Sequence, residues 1–407
     1  MQTPVRTPWP SVLLLFLSGF SSMIFLGVGI LMGIAGIIEL LSGSPETAES
    51  TLTLSAGSIF LGLALIPGIY YSLMAVMNKP AKQLPFYRIP TWLIIVIWFV
   101  SALLTVLVET VESMPLVSIP LNLVTLVLPV WILIRIALRG LDSGSPELRW
   151  GTFTVGMTLV PLLIGFAEVM FILAAGIAAI FWIALNPELI NTIESLSARL
   201  MYTNNPEAIT RILAPYIYSP VVIGAGLVFF SAIIPIIEEL IKPLGVWFGS
   251  SKLTSPRQGF AMGVLGGAAY ALVESLGMSP GIPEASNLLS IVRAGTDLVH
   301  IVTTGLMGWA LVSAWRESKY VQLGMTYLLV IVIHGMWNAL ALSSAAQIAM
   351  DYLPNPSLLV QSLPTVSAIG LVVLSIINLS ILLILNTRLN SITSTNQEMT
   401  NLENHGF

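Results

Sequence analysis

Ten stretches of about twenty or more residues along the chain carry almost no charge, and each is long enough to cross a hydrocarbon core about 30 Å thick. They lie near 12–41, 52–77, 91–111, 116–138, 152–185, 219–248, 259–278, 292–314, 323–347 and 364–386. Breaks with turn chemistry separate them, such as SGSPE at Ser42–Glu46, DSGSPE at Asp142–Glu147 and SPGIPE at Ser279–Glu284. With 56% hydrophobic and only 9% charged residues, the chain cannot be a soluble globular protein, for which about 25% charged is usual. The pattern predicts an all-α polytopic membrane protein with about ten transmembrane helices. The first stretch is longer than a signal-peptide core and no small-residue cleavage site follows it, so it is expected to stay as a helix.

Lysine and arginine set the orientation. Under this ten-span topology, thirteen of the sixteen fall on one side, while Arg199, Arg211 and Arg293 fall on the other. That asymmetry predicts both termini in the cytoplasm and a multi-pass place in the cell (plasma) membrane. The outward connection at 186–218 has apolar residues at helical spacing, among them Leu189, Ile193, Leu196 and Leu200. It reads either as one or two amphipathic helices lying at the outer interface or as a packed loop. The polar residues after Asn386, His405 among them, read as a disordered tail. The net charge of −4 and the lack of a basic run exclude nucleic acid as a partner, and zero cysteines exclude disulfides and thiol chemistry. No internal repeat is visible, which weakens the case for an inverted-repeat transporter.

Ionisable residues inside a bilayer are expensive and mark function. The sixth span carries Glu238, Glu239 and Lys242, an E-E-L-I-K run in which Lys242 is i+4 and i+3 to the two carboxylates. Adjacent carboxylates point about 100° apart, and Pro235 and Pro243 bracket the run and loosen its helix. A solvated helix end at the cytoplasmic interface is the plain alternative. Glu274 is the ionisable residue of the seventh span, where Gly259, Gly263 and Gly267 recur every four residues, a spacing for close helix packing. His300 follows Asp297, which at i−3 is placed to orient the imidazole. His334 and Asn338 share one helix face, as donors suited to an oxyanion or as interhelical glue. On straight helices Glu238 and Glu274 are roughly 10 Å apart along the membrane normal.

The order E-E-x-x-K, then AYALVES, then HIVTTGLMG, then H-G-x-W-N resembles the PrsW family, grouped with the CPBP and CAAX-prenyl endopeptidase superfamily of glutamate-dependent intramembrane proteases. The resemblance covers about Val221–Leu342. It implies water activated by Glu238 with His300, Glu239 orienting that pair, His334 and Asn338 as the oxyanion hole, and Glu274 in support. It also implies a membrane-anchored protein or peptide as substrate, within the lipid bilayer. Lys242 differs from the arginine usual in the prenyl-endopeptidase branch, while Asn338 is closer to that branch than to many PrsW endings, so the substrate class stays open.

The chemistry agrees with an intramembrane endopeptidase of the glutamic type, since a desolvated carboxylate is a plausible base near neutral pH. No cofactor is expected, with a His₂Glu zinc site as the minority reading. A proton-coupled transporter using the same Glu/His residues as a relay is the alternative. The expected organisation is a five-helix membrane region at 1–218, a four-helix catalytic core at 219–347, and a last transmembrane helix with a polar tail at 348–407.

Overall fold

The computed structural model describes residues 9–82, 89–109, 115–278, 286–344 and 358–405. Among these, the regular elements are all helical. They are α1 (Trp9–Leu41), α2 (Pro45–Ala64), α3 (Ile66–Val76), α4 (Thr91–Glu109), α5 (Pro115–Ala137), α6 (Pro146–Ala184), α7 (Pro187–Met201) and α8 (Pro206–Ile217). There follow α9 (Pro220–Val228), a π-helical turn (Phe229–Ile233), α10 (Ile234–Ile241), α11 (Leu244–Phe248), α12 (Pro256–Met278), α13 (Ser286–Glu317), α14 (Tyr320–Ser344) and α15 (Leu358–His405). Among the described residues ten helical segments are long and apolar enough to cross a membrane, the number read from the sequence. This is a multi-pass membrane protein. The Ser279–Glu284 break, Arg6 and Arg88 lie outside the described residues.

The chain divides into two compact units. The first comprises Met1–Pro161, Ile241–Val330 and Ser375–Phe407; the second comprises Leu162–Leu240 and Ile331–Leu374. The first is built around α12 and α13, whose side chains are almost wholly buried. Lipid gives two helices no hydrophobic reason to associate, so close packing must hold them. The glycine repeat of α12 provides it. A Cβ at Gly259 or Gly263 would collide with the backbone of Gly308 or Thr304, and one at Gly267 would lie 2.5 Å from the His300 carbonyl oxygen. On another side Gly156 of α6 meets Gly266 in the same way. Phe153, Met157, Phe260, Val264, Ile301 and Val302 fill the core around these contacts.

Three departures from the sequence reading have local causes. The second span is interrupted between α2 and α3 because Pro67, at the start of α3, has no N–H for the ladder. The sixth span breaks into α9, the π turn, α10 and α11 around Pro235 and Pro243. The expected disordered tail is instead the continuation of α15 to His405. Its polar residues have work to do: Asn386 Nδ2 donates to the carbonyls of Ala137 and Arg139, and Asn390 Nδ2 to that of Arg139. Ala137 ends α5 and Arg139 lies in the turn that follows, where no next helical turn supplies donors to the carbonyls. Leu389 packs into the core beside them.

In the α5–α6 loop, Asp142 accepts from Gly144 N and Gln258 Nε2 at 2.9 and 3.0 Å. Those two hydrogen bonds to the ionised form hold its carboxyl below the usual 3.8. In the second unit the 186–218 connection forms two helices, α7 and α8, each opened by proline after an asparagine cap. No residue of α7 is buried, so its apolar stripe is uncovered among the described residues.

Candidate active site

In the second unit, the π turn and Pro235 set the geometry of the double glutamate. Ile234 N–H goes to the carbonyl of Phe229, five residues back, and Pro235 has no N–H to offer. The Phe230 carbonyl thus loses both of its helical donors. Asn338 of α14 replaces them, donating through Nδ2 at 2.9 Å. One turn earlier on α14, Gly335 lies so close to the Ser231 carbonyl that any Cβ would strike it. These two contacts hold α14 against the π turn and bring His334 to α10. There His334 Nδ1 is 2.8 Å from Glu239 Oε1, and Nε2 is 3.9 Å from Glu238 Oε2. All three side chains are buried, Glu239 completely.

The first unit contains a second imidazole treated the same way. His300 Nε2 is 2.6 Å from Glu274 Oε2, and its Nδ1 is 2.8 Å from Lys242 Nζ. Tyr270 packs its ring edge-on against that of His300, and the Lys242 ammonium lies 4.8 Å from the Tyr270 centroid. Beyond Glu274 the polar chain continues. Arg293 Nη1 and Nη2 each lie 3.3 Å from Glu274 Oε1, and its Nε donates to Ser275 Oγ at 3.2 Å. Ser275 in turn donates to Asp297 Oδ1 at 2.7 Å. Lys242, Ser275, Asp297 and His300 are all essentially inaccessible.

Several sequence expectations change here. Asp297 does not orient His300; it is the acceptor of Ser275, and Glu274, from the neighbouring helix, holds the imidazole instead. Lys242 and Glu274 touch the His300 ring at opposite nitrogens. Lys242, read as a partner of its own helix's glutamates, has a contact with His300 of α13 that the spacing did not announce. Arg293, read as an outward flanking charge, is buried with Glu274. Its signal was present as a polar stripe: Arg293, Asp297, His300 and Thr304 recur at i, i+4, i+7 and i+11. On α12 the spacing of Gly263, Gly267, Tyr270 and Glu274 marks the facing stripe.

The common feature is a carboxylate on one nitrogen of each buried imidazole, Glu239 on His334 Nδ1 and Glu274 on His300 Nε2. This is how metal-ligating histidines are held by their outer partners, which fix the tautomer and direct the other nitrogen to the ion. His334 Nε2 is directed toward Glu238, and His300 Nδ1 toward Lys242. The two histidines and Glu238 are the donor types of a divalent-metal site.

A family model described as PrsW family intramembrane metalloprotease matches residues 147–377, more than half of the chain. No curated protein matches the chain, and no solved structure does.

Proposed function

The chain belongs to the PrsW family of intramembrane metalloproteases, and from that membership we propose that it is an endopeptidase cutting a membrane-associated protein or peptide inside the bilayer, with Glu238, His300 and His334 as its metal-holding residues. The observation that carries this is the carboxylate seated on each buried imidazole, an arrangement a merely structural histidine does not need. A divalent ion held there would supply Lewis acidity, polarising a carbonyl and acidifying water near neutral pH.

The residues of the chain do the rest. Glu239 and Glu274 fix the two imidazoles, and Arg293 fixes Glu274. Glu238 is the carboxylate left to face the reacting water, as a metal-holding group and proton acceptor. Asn338 fastens α14 to the π turn with one amide N–H and offers the other to the developing oxyanion; His334 joins it as a donor only in a metal-free mechanism. The burial of every one of these groups except Asn338 and Glu274 keeps competing bulk water out.

A second reading, the metal-free glutamic mechanism, is favoured by one contact, the Lys242 ammonium on His300 Nδ1. In it Glu238 alone is the general base. The family does not favour the transport reading. The kinship with the CPBP superfamily rests on the ordered motifs, the plasma-membrane location and cytoplasmic termini on the lysine and arginine asymmetry.

The test is substrate trapping. Membrane peptides that co-purify with a Glu238→Gln variant are identified by mass spectrometry and offered to the wild type with and without chelator. Cleavage lost to chelator and restored by Zn²⁺ is the expected outcome. Cleavage indifferent to chelator selects the glutamic mechanism, and no cleavage of any trapped peptide refutes the protease assignment.

A further inference from the structure

We propose that Lys242 is a resident cation that occupies the metal-ligating nitrogen of His300 while no metal is bound, and that it withdraws when an ion enters. The inference rests on the metal reading above and adds to it a residue that controls loading.

An ammonium has three donors and no acceptor, so its 2.8 Å contact with His300 Nδ1 takes up that nitrogen's lone pair. A metal ion needs the same lone pair, and the two cations exclude each other there. The imidazole cannot escape by turning over. Its Nε2 is pinned to Glu274 at 2.6 Å, and Tyr270 stands perpendicular to its ring at 5.2 Å between centroids. The lysine, by contrast, has a four-carbon flexible stem. In the same position its ammonium lies over the face of Tyr270, 4.8 Å from the centroid, a contact that favours a desolvated cation and that does not depend on the imidazole lone pair.

The charge balance points the same way. Lys242 has no accessible surface at all and is among the largest fully buried side chains of the described residues. A buried charge persists only when paired or otherwise held, and His300 Nδ1 and the Tyr270 ring hold this one. With Lys242 on hand the metal-free protein stays folded and waits for its ion, whereas many small metal sites are unfolded without one.

The experiment is a titration of chelator-stripped, detergent-purified protein with Co²⁺, read by visible absorbance of the bound ion and by calorimetry, with thermal unfolding measured in chelator. Lys242→Met, which removes the cation at similar length, is expected to bind Co²⁺ roughly tenfold more tightly than wild type. It is also expected to melt lower than wild type in chelator, a deficit that Co²⁺ removes. Lys242→Gln keeps an N–H for His300 Nδ1 without the charge; a smaller gain is expected of it, and it serves if the methionine variant does not fold. Equal or weaker Co²⁺ binding by a folded neutral variant overturns the role of Lys242 and leaves the metal reading standing. Absence of Co²⁺ uptake by wild type and variants alike overturns the metal reading and this inference with it.

Discussion

A carboxylate one hydrogen bond behind an imidazole works without touching the substrate, and Glu239 and Glu274 each occupy such a position. Removing either one's charge, as Glu239→Gln or Glu274→Gln, is expected to weaken Co²⁺ binding by about 10–100-fold in an absorbance titration. The variants should still fold, because glutamine retains a hydrogen bond to the ring. Unchanged affinity in both would show that the carboxylates serve only packing. At this scale the residue types and their helical spacing were legible in the sequence, down to the i,i+4 pairing of His334 with Asn338. The partners were not. Whether Asp297 or Glu274 holds His300 depends on the rotation of α12 against α13, which no spacing within one helix reveals. The burial of Arg293 was missed because a lysine or arginine near a helix end counts as a flanking charge unless its partner on the next helix is known.

Between helices, the backbone carries the information. Gly335 against Ser231 and Gly263 against Thr304 are contacts in which a side chain has no room, and overpacking of this kind typically costs about 1–3 kcal/mol. Gly335→Ala is expected to lower the melting temperature and to loosen His334 from Glu239. Gly324→Ala is the control, since nothing lies within 4 Å of its added methyl. Equal melting of the two variants would refute the close-approach account. The loop tie at Asp142 has its own signature. Its carboxyl is held below 3.8 in the folded state, so its contribution is present above that value and fades as pH falls through the folded one. Wild type and Asp142→Asn should therefore differ in melting temperature near neutrality and converge in acid below about pH 3.8; a constant difference would contradict it. Existence and order of the helices could be read from apolar length, and Pro235 announced a disturbed helix. A π turn could not be read, because it requires a donor on another helix to satisfy the displaced carbonyl, here Asn338 Nδ2 on that of Phe230. Nor could the helical tail, whose asparagines look solvated until the open carbonyls of α5 stand beside them.

For the whole molecule, orientation in the bilayer is the statement most open to direct testing, and a chain with no cysteine suits it. Exposed Ser251 and Asn204 fall on opposite sides of the membrane if the lysine and arginine asymmetry holds. A membrane-impermeant maleimide applied to intact cells is expected to label Asn204→Cys and to spare Ser251→Cys; the reverse pattern would invert the topology. The central claim, that buried glutamates and histidines hold a metal ion for peptide hydrolysis, is tested most directly by metal content. Protein purified from membranes without chelator and measured by mass spectrometry of its elements is expected to carry about one divalent ion per chain, lost in a His300→Ala, His334→Ala double variant. Wild-type protein that holds no ion and still cleaves its trapped substrate would contradict the account.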